Sequence, residues 1–234
     1  SLGHNHPVLK RALLAQLDRF EHVIFANTTN NLITDLSQQL TALMPSLNKV
    51  FYAGDGSCAV EVALKMSVHA RVIQGNPKRN QFIALRNGYH GETVGALSVS
   101  DMGIYRDPYD SILFPVRFID PPYVATTADP LWQDAEQHWQ KTEEILNQQI
   151  ETTTAIILEP VLQGAAGMQV YSADFLTRLA RWAKQHDVHL IADEIMTGLG
   201  RTGKMLACEY ANIQPDFLCL SKGLTSGWLP LSAV

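Results

Sequence analysis

The chain is short of cysteine, has no long apolar run and carries no excess of basic charge, and each shortage removes a class of function. Cys58, Cys208 and Cys219 are odd in number and show no C-x-x-C spacing. That fits buried, reduced thiols in a cytoplasmic protein better than a disulfide framework or a zinc site. No stretch approaches the roughly 18 to 20 apolar residues of a membrane span, and no signal-peptide pattern is visible in the residues present. With 18 basic against 23 acidic residues the net charge is -5, so there is no electrostatic footprint for nucleic acid or an anionic membrane. A composition of 46% hydrophobic and 18% charged residues excludes disorder.

What is present is 234 residues, enough for one large domain or one and a half. The chain opens on Ser1 inside the loop-like SLGHNHP and closes on LPLSAV, which reads as a strand just beginning. A fragment lacking both ends is expected.

Pro7 suits a first helical turn, and Leu9, Leu13, Leu14 and Leu17 follow at helical spacing. A second helix is predicted from about Leu32 to Met44, stopped by Pro45. Beyond them the pattern changes. KVFYA (49 to 53), QFIAL (81 to 85), TAIIL (154 to 158), VHLIA (188 to 192) and DFLCL (216 to 220) are short branched apolar runs that suit buried strands. Helical stretches at 57 to 74 and 172 to 186 lie between several of them. The alternation predicts an α/β domain with a mostly parallel sheet over 49–234, preceded by a helical segment over 1–48. Residues 101 to 134, with five prolines and little periodicity, read as an excursion at the domain edge.

Gly198, Gly200 and Gly203 spell G-x-G-x-x-G, and Gly198 to Lys204 nearly spell a Walker loop. Neither survives its context. Five residues separate the strand from Gly198, Pro215 leaves room for only a short helix, the next strand ends in Ser221-Lys222 instead of an acid, and Met205 replaces the magnesium-binding hydroxyl.

The residues just past each strand are more informative, because ligands of open parallel sheets collect at the strands' carboxyl ends. Gly54-Asp55-Gly56-Ser57 opens a helix after KVFYA; Arg86 to His90 follow QFIAL; Asp193-Glu194 follow VHLIA; Ser221-Lys222 follow DFLCL. A helix start with small residues can hold a phosphate. A lysine enclosed at a strand end can serve as a nucleophile, and an aspartate at the neighbouring end can pair with a cationic ring nitrogen. Pyridoxal phosphate needs all three, and an aromatic such as Tyr89 could stack on its ring. Each residue also has a plainer role: Asp193 or Gly56-Ser57 as a helix cap, Lys222 as a surface charge, Tyr89 as packing. His4 and His6 lack a third metal ligand at suitable spacing, so no metal site is expected. The joint pattern favours the cofactor.

GHNHP (3 to 7), GDGSCAVEVALKM (54 to 66), RNGYHGETVGALSVSD (86 to 101), AIILEPVLQGAAGM (155 to 168), LIADEIMTGLGRTGK (190 to 204) and PDFLCLSKGLTSGWLPLSAV (215 to 234) resemble the class III pyridoxal-phosphate aminotransferases almost end to end. The resemblance implies the aspartate-aminotransferase-like large domain, helices on both faces of its sheet, with the family's small C-terminal domain absent. It implies that Lys222 bonds to the cofactor aldehyde and moves the proton, and that Asp193 pairs with the pyridinium. Gly56 and Ser57 would bind the phosphate, Tyr89 would stack and shape the substrate pocket, and Glu159 would orient neighbouring cofactor contacts. One departure is Asp55, where relatives often carry a small residue: a carboxylate beside a phosphate must point away or find a cation.

Within the family the runs are most similar to the biotin-biosynthesis branch, with Met196 where ornithine and 4-aminobutyrate relatives commonly carry Gln. That branch implies 8-amino-7-oxononanoate as amino acceptor, S-adenosylmethionine as donor, a homodimer and a cytoplasmic location. The alternatives are another class III enzyme acting on ω-amino acids or diamines, an aminomutase, a noncatalytic relative, and a nucleotide-binding protein.

Overall fold

The computed structural model describes residues 2–234. They divide into two compact units, one up to Val50 and one from Phe51 onward. The first holds α1 (Pro7–Leu17) and α2 (Asn31–Leu43). Proline occupies the first turn of α1, where its missing N–H costs nothing. The Asn30 side chain caps α2 by accepting the Ile33 N–H at 3.1 Å.

The second unit runs β1 (Tyr52–Ala53), α3 (Gly56–Ile73), β2 (Gln81–Leu85), α4 (Val94–Ser98), α5 (Gly103–Arg106), β3 (Val116–Ile119), β4 (Tyr123–Val124), α6 (Glu136–Asn147), β5 (Thr153–Leu158), β6 (Leu162–Gln163), β7 (Gln169–Tyr171), α7 (Ala173–Gln185), β8 (His189–Asp193), β9 (Phe217–Cys219) and β10 (Ser232–Ala233). Its centre is a parallel five-stranded sheet in the order β3-β2-β5-β8-β9. Every residue of β5 is buried, as a central strand covered on both faces requires. Ala59, Val60, Ala63 and Leu64 of α3 pack with Ala155, Ile157 and Ile191 of the sheet in one apolar cluster. α7 carries its buried Phe175, Leu176, Leu179 and Trp182 at helical spacing.

Two sequence expectations are corrected. KVFYA is no member of the parallel sheet: only Tyr52–Ala53 is extended, and it pairs antiparallel with β10, flanked by reciprocal Phe51 and Val234 main-chain bonds of 2.8 Å. Apolar content marks a strand without naming its partner. The proline-rich segment 101 to 134 is more than an edge excursion, since it supplies β3, parallel to β2. As an edge strand β3 carries the exposed Arg117 in mid-run, so it lacks the continuous apolar signature of a central strand. A small antiparallel sheet, β4-β7-β6, is built from strands of two or three residues, too short to show a period.

Candidate active site

The central strands deliver their carboxyl ends to one side, and a cavity of about 770 Å³ opens there. Gly56, Ser57, Tyr89, Glu159, Asp193 and Lys222 all line it. Residues drawn from five separate stretches of sequence therefore share one pocket.

At one end α3 begins at Gly56, and its cap is Asp55, not Gly56 or Ser57. The Asp55 carboxylate accepts the Cys58 N–H at 2.9 Å and the Cys58 thiol at 3.2 Å. The Cys58 N–H bond holds its pKa below the ordinary carboxylate value. Its charge is thus turned onto the helix, where the dipole favours it. Ser57 Oγ accepts the Thr93 N–H at 3.0 Å and lies 2.9 Å from Thr93 Oγ1. Gly91 stands over that hydroxyl at φ +123°, and a Cβ there would fall 2.2 Å from Ser57 Oγ. Only glycine permits this approach.

Asp193 ends β8 with 3% of its surface exposed. Its Oδ2 lies 2.7 Å from His90 Nδ1, and its Oδ1 accepts the Ile195 N–H at 3.0 Å. A carboxylate can only accept, so His90 carries its proton on Nδ1. Turns, not a helix, follow Asp193, which removes the helix-cap reading. Glu159, just past β5, accepts the Tyr89 N–H at 3.1 Å and the Gly164 N–H at 3.0 Å. Burial, reinforced by the nearby Asp193 charge and opposed by His90, pushes its pKa up to about 7. The Tyr89 hydroxyl donates to Glu92 Oε1 at 2.9 Å, and its ring lies 5.8 Å from that of Tyr105. Burial, with Glu92 adding to it, raises the phenol to about 12.

Lys222 corrects another expectation. It lines the cavity but is exposed, not enclosed. β9 stops at Cys219, and Ser221 remains buried while Lys222 turns out of the sheet at φ +38°, a left-handed conformation that sets its side chain at the open pocket.

The three glycines of the phosphate-loop look-alike lie outside the cavity lining. Gly200 and Gly203 take φ +89° and +93°, and their loop is held by Glu194, which accepts Ala207 N–H at 2.9 Å, Cys208 N–H at 2.8 Å and the Thr197 hydroxyl at 2.7 Å. In the Asp-Glu pair the two acids divide the work: Asp193 faces the cavity, and Glu194 anchors the glycine loop.

The sequence reading gave His90, Gly91 and Thr93 no role. His90 meets Asp193 across 103 residues of chain, and no local pattern signals such a contact.

A family model described as Aminotransferase class-III matches residues 1–234. The chain belongs to the class-III aminotransferases. It is 42% identical over 233 residues to adenosylmethionine-8-amino-7-oxononanoate aminotransferase of Helicobacter pylori, covering 99% of this chain and 52% of that protein. The enzyme of the same name from Aquifex aeolicus is 39% identical, with the same coverage of 99% and 52%. Among solved class-III folds, the Methanocaldococcus jannaschii enzyme of that name superposes with a TM-score of 0.89 at 35% identity, covering 99% of this chain and 51% of that one. An amine transaminase from an uncultivated Pseudomonas species, in its PLP-bound form, gives 0.87 at 36% identity, covering 99% and 53%. The chain spans about half the length of the curated relatives it matches. Among its described residues no helix is long and apolar enough to cross a membrane.

Proposed function

We propose that this chain carries the cofactor-binding machinery of a pyridoxal-phosphate-dependent aminotransferase that converts 8-amino-7-oxononanoate to 7,8-diaminononanoate in biotin biosynthesis, with S-adenosylmethionine as amino donor. The observation that carries the reading is the convergence of Gly56, Asp193 and Lys222 on one cavity.

The residues fit the cofactor by their own geometry. The cavity lies within the 300–1,000 Å³ range of small-molecule sites. Gly56 and Ser57 open α3 at the cavity wall, where helix-start N–H groups could hold a phosphate, and Asp55, which lines the same wall, has its carboxylate hydrogen-bonded to the Cys58 N–H. Bound there, pyridoxal phosphate would supply a protonated ring that takes up the electron pair of a broken C–H bond, and an aldehyde carbon that carries the amino group between substrates.

The chain's own groups perform the rest. His90 Nδ1–H and Ile195 N–H hold both oxygens of Asp193, so that its carboxylate is oriented to keep a proton on the ring nitrogen. Lys222 Nζ would take the proton from the donor's amino-bearing carbon and deliver it to the former aldehyde carbon of the cofactor, on the far side of the shared nitrogen. Glu159 ties the Tyr89 and Gly164 main chains together, fixing two walls of the pocket. Ile195, Met196, Ala165 and Met168 add apolar lining, suited to an alkyl-chain substrate. The names of the relatives support this substrate pair. A homodimer and a cytoplasmic location belong to the same proposal and rest on the family resemblance.

Half-reaction spectroscopy on a full-length protein carrying this chain tests the proposal. S-adenosylmethionine should convert the bound cofactor from its aldehyde to its amine form, while alanine and simple diamines should not. The likeness to an amine transaminase supports the alternative donor class, and conversion by alanine or a diamine but not by S-adenosylmethionine would establish it.

A further inference from the structure

Glu61 lies one turn inside α3 and does not line the cavity, yet it sets the direction of the hydrogen bonds at the cavity's phosphate end. Its Oε1 accepts the Gly95 N–H at 2.6 Å, the Ala96 N–H at 3.1 Å and the Thr93 hydroxyl at 2.6 Å. Two of these donors are main-chain amides, which cannot accept, so Oε1 is the acceptor of all three. The single proton of the Thr93 hydroxyl is thereby spent on Glu61. In the 2.9 Å contact between Ser57 Oγ and Thr93 Oγ1 the donor must then be Ser57. Ser57 Oγ also accepts the Thr93 N–H. In this arrangement the Ser57 hydroxyl has no proton left for a phosphate oxygen.

We infer that Glu61 is a positioning residue of the phosphate cradle: acting through Thr93, it locks the Ser57 hydroxyl as a brace between α3 and the 91–96 segment and leaves phosphate recognition to main-chain N–H groups at the start of α3 other than that of Cys58, which Asp55 takes. The packing agrees with this. A Cβ on Gly91 would meet Ser57 Oγ at 2.2 Å, and one on Gly95 would meet Glu61 Oε2 at 2.3 Å. Both ends of the relay therefore close onto glycines that no larger residue could replace without moving it. Three donors converging on one oxygen offset the cost of holding the half-buried Glu61 carboxylate in place.

The inference rests on the proposed cofactor site, and its test separates the two. Dissociation constants for pyridoxal 5'-phosphate and for pyridoxal, which lacks the phosphate, are measured by absorbance on the full-length protein and its variants. Glu61→Leu should weaken pyridoxal phosphate about tenfold and leave pyridoxal within about twofold. Glu61→Gln retains the Oε1 acceptor and should restore the affinity to within about threefold. Thr93→Val keeps its main-chain N–H but breaks the relay, so it should match Glu61→Leu, and the double variant should be no weaker than either. Thr93→Val carries the test alone if Glu61→Leu does not fold. Equal losses for the two ligands, or additive losses in the double variant, would overturn the inference while leaving the cofactor site standing. Failure of the unmodified protein to bind pyridoxal phosphate would overturn both.

Discussion

At the amino ends of β5 and β8 two buried arginines spend their hydrogen bonds on the protein itself, whereas at the carboxyl ends of the same strands buried acids face a cavity. Arg71 and Arg79 share Asp187 Oδ2 at 2.7 and 3.2 Å. Arg79 also donates to Thr153 O at 3.0 Å and His186 O at 2.9 Å. Ser67 Oγ bridges Thr154 Oγ1 and His189 Nδ1, both at 2.8 Å. These groups close off strand ends and loop carbonyls. At the opposite ends of these strands, roughly 13–17 Å along, Glu159 and Asp193 are held by main-chain N–H groups and His90 but still line the pocket. At one end the arginines are tied to the protein, with only Arg71 Nε left without a partner; at the other the acids are held in place at a cavity wall, as the proposed chemistry requires.

Substitutions can separate the two roles. The largest effect is expected at Asp193→Asn, which should lower kcat of the full-length enzyme by about 10²–10³-fold. Folding stability should stay within about 1 kcal/mol, because the amide can still accept from Ile195 and His90 can change tautomer to meet it. Arg71→Met should reverse that pattern, costing about 1–3 kcal/mol in denaturant unfolding with the turnover of folded molecules unchanged.

Acidity should divide the ends next. Burial, with the Arg71 charge, holds the His189 pKa below its ordinary value, so its contribution to stability is present above about pH 6.5 and is lost as pH falls. Glu159 has the opposite sign. Its pKa rises from 4.5 to about 7 on folding, so its contribution is complete below pH 4.5 and disappears as pH climbs through about 7. Unfolding measured from pH 4.5 to 7 should show Glu159→Gln removing the falling limb, while His189→Asn removes the rising one. The smallest effect is expected at Tyr89→Phe, which keeps the ring and loses only the bond to Glu92; KM should change by less than about fivefold. Since the phenol titrates only near 12, the pH profile should be unaltered below about pH 10.

The carboxyl-end chemistry was legible because βα alternation dictates where strand ends go: once QFIAL, TAIIL and VHLIA are read as parallel strands, Arg86 to His90, Glu159 and Asp193 must lie on one side. β2 follows the expected residues 81–85, and α3 begins one residue before the expected start. The amino-end cluster left no trace, since Arg71 and Asp187 meet across 116 residues and an arginine inside a helix resembles a solvated charge. β3 was hidden by the flanking Pro115 and Pro121 and by Arg117. The exposure of Lys222 was misread because apolar neighbours on both sides suggested enclosure, while a left-handed turn carries it out of the sheet. Glu61 escaped notice for a different reason: its importance lies in the direction of a hydrogen-bond chain, which only atomic positions reveal.

The central claim is that Lys222, on its turn past β9, is the residue that bonds to pyridoxal phosphate in a pocket completed by Asp193 and the start of α3. Borohydride reduction of the full-length protein loaded with pyridoxal phosphate, followed by peptide mass spectrometry, tests it directly. The added mass should sit on Lys222 and vanish in Lys222→Ala together with turnover. A label on another lysine, or full activity in Lys222→Ala, would contradict the account.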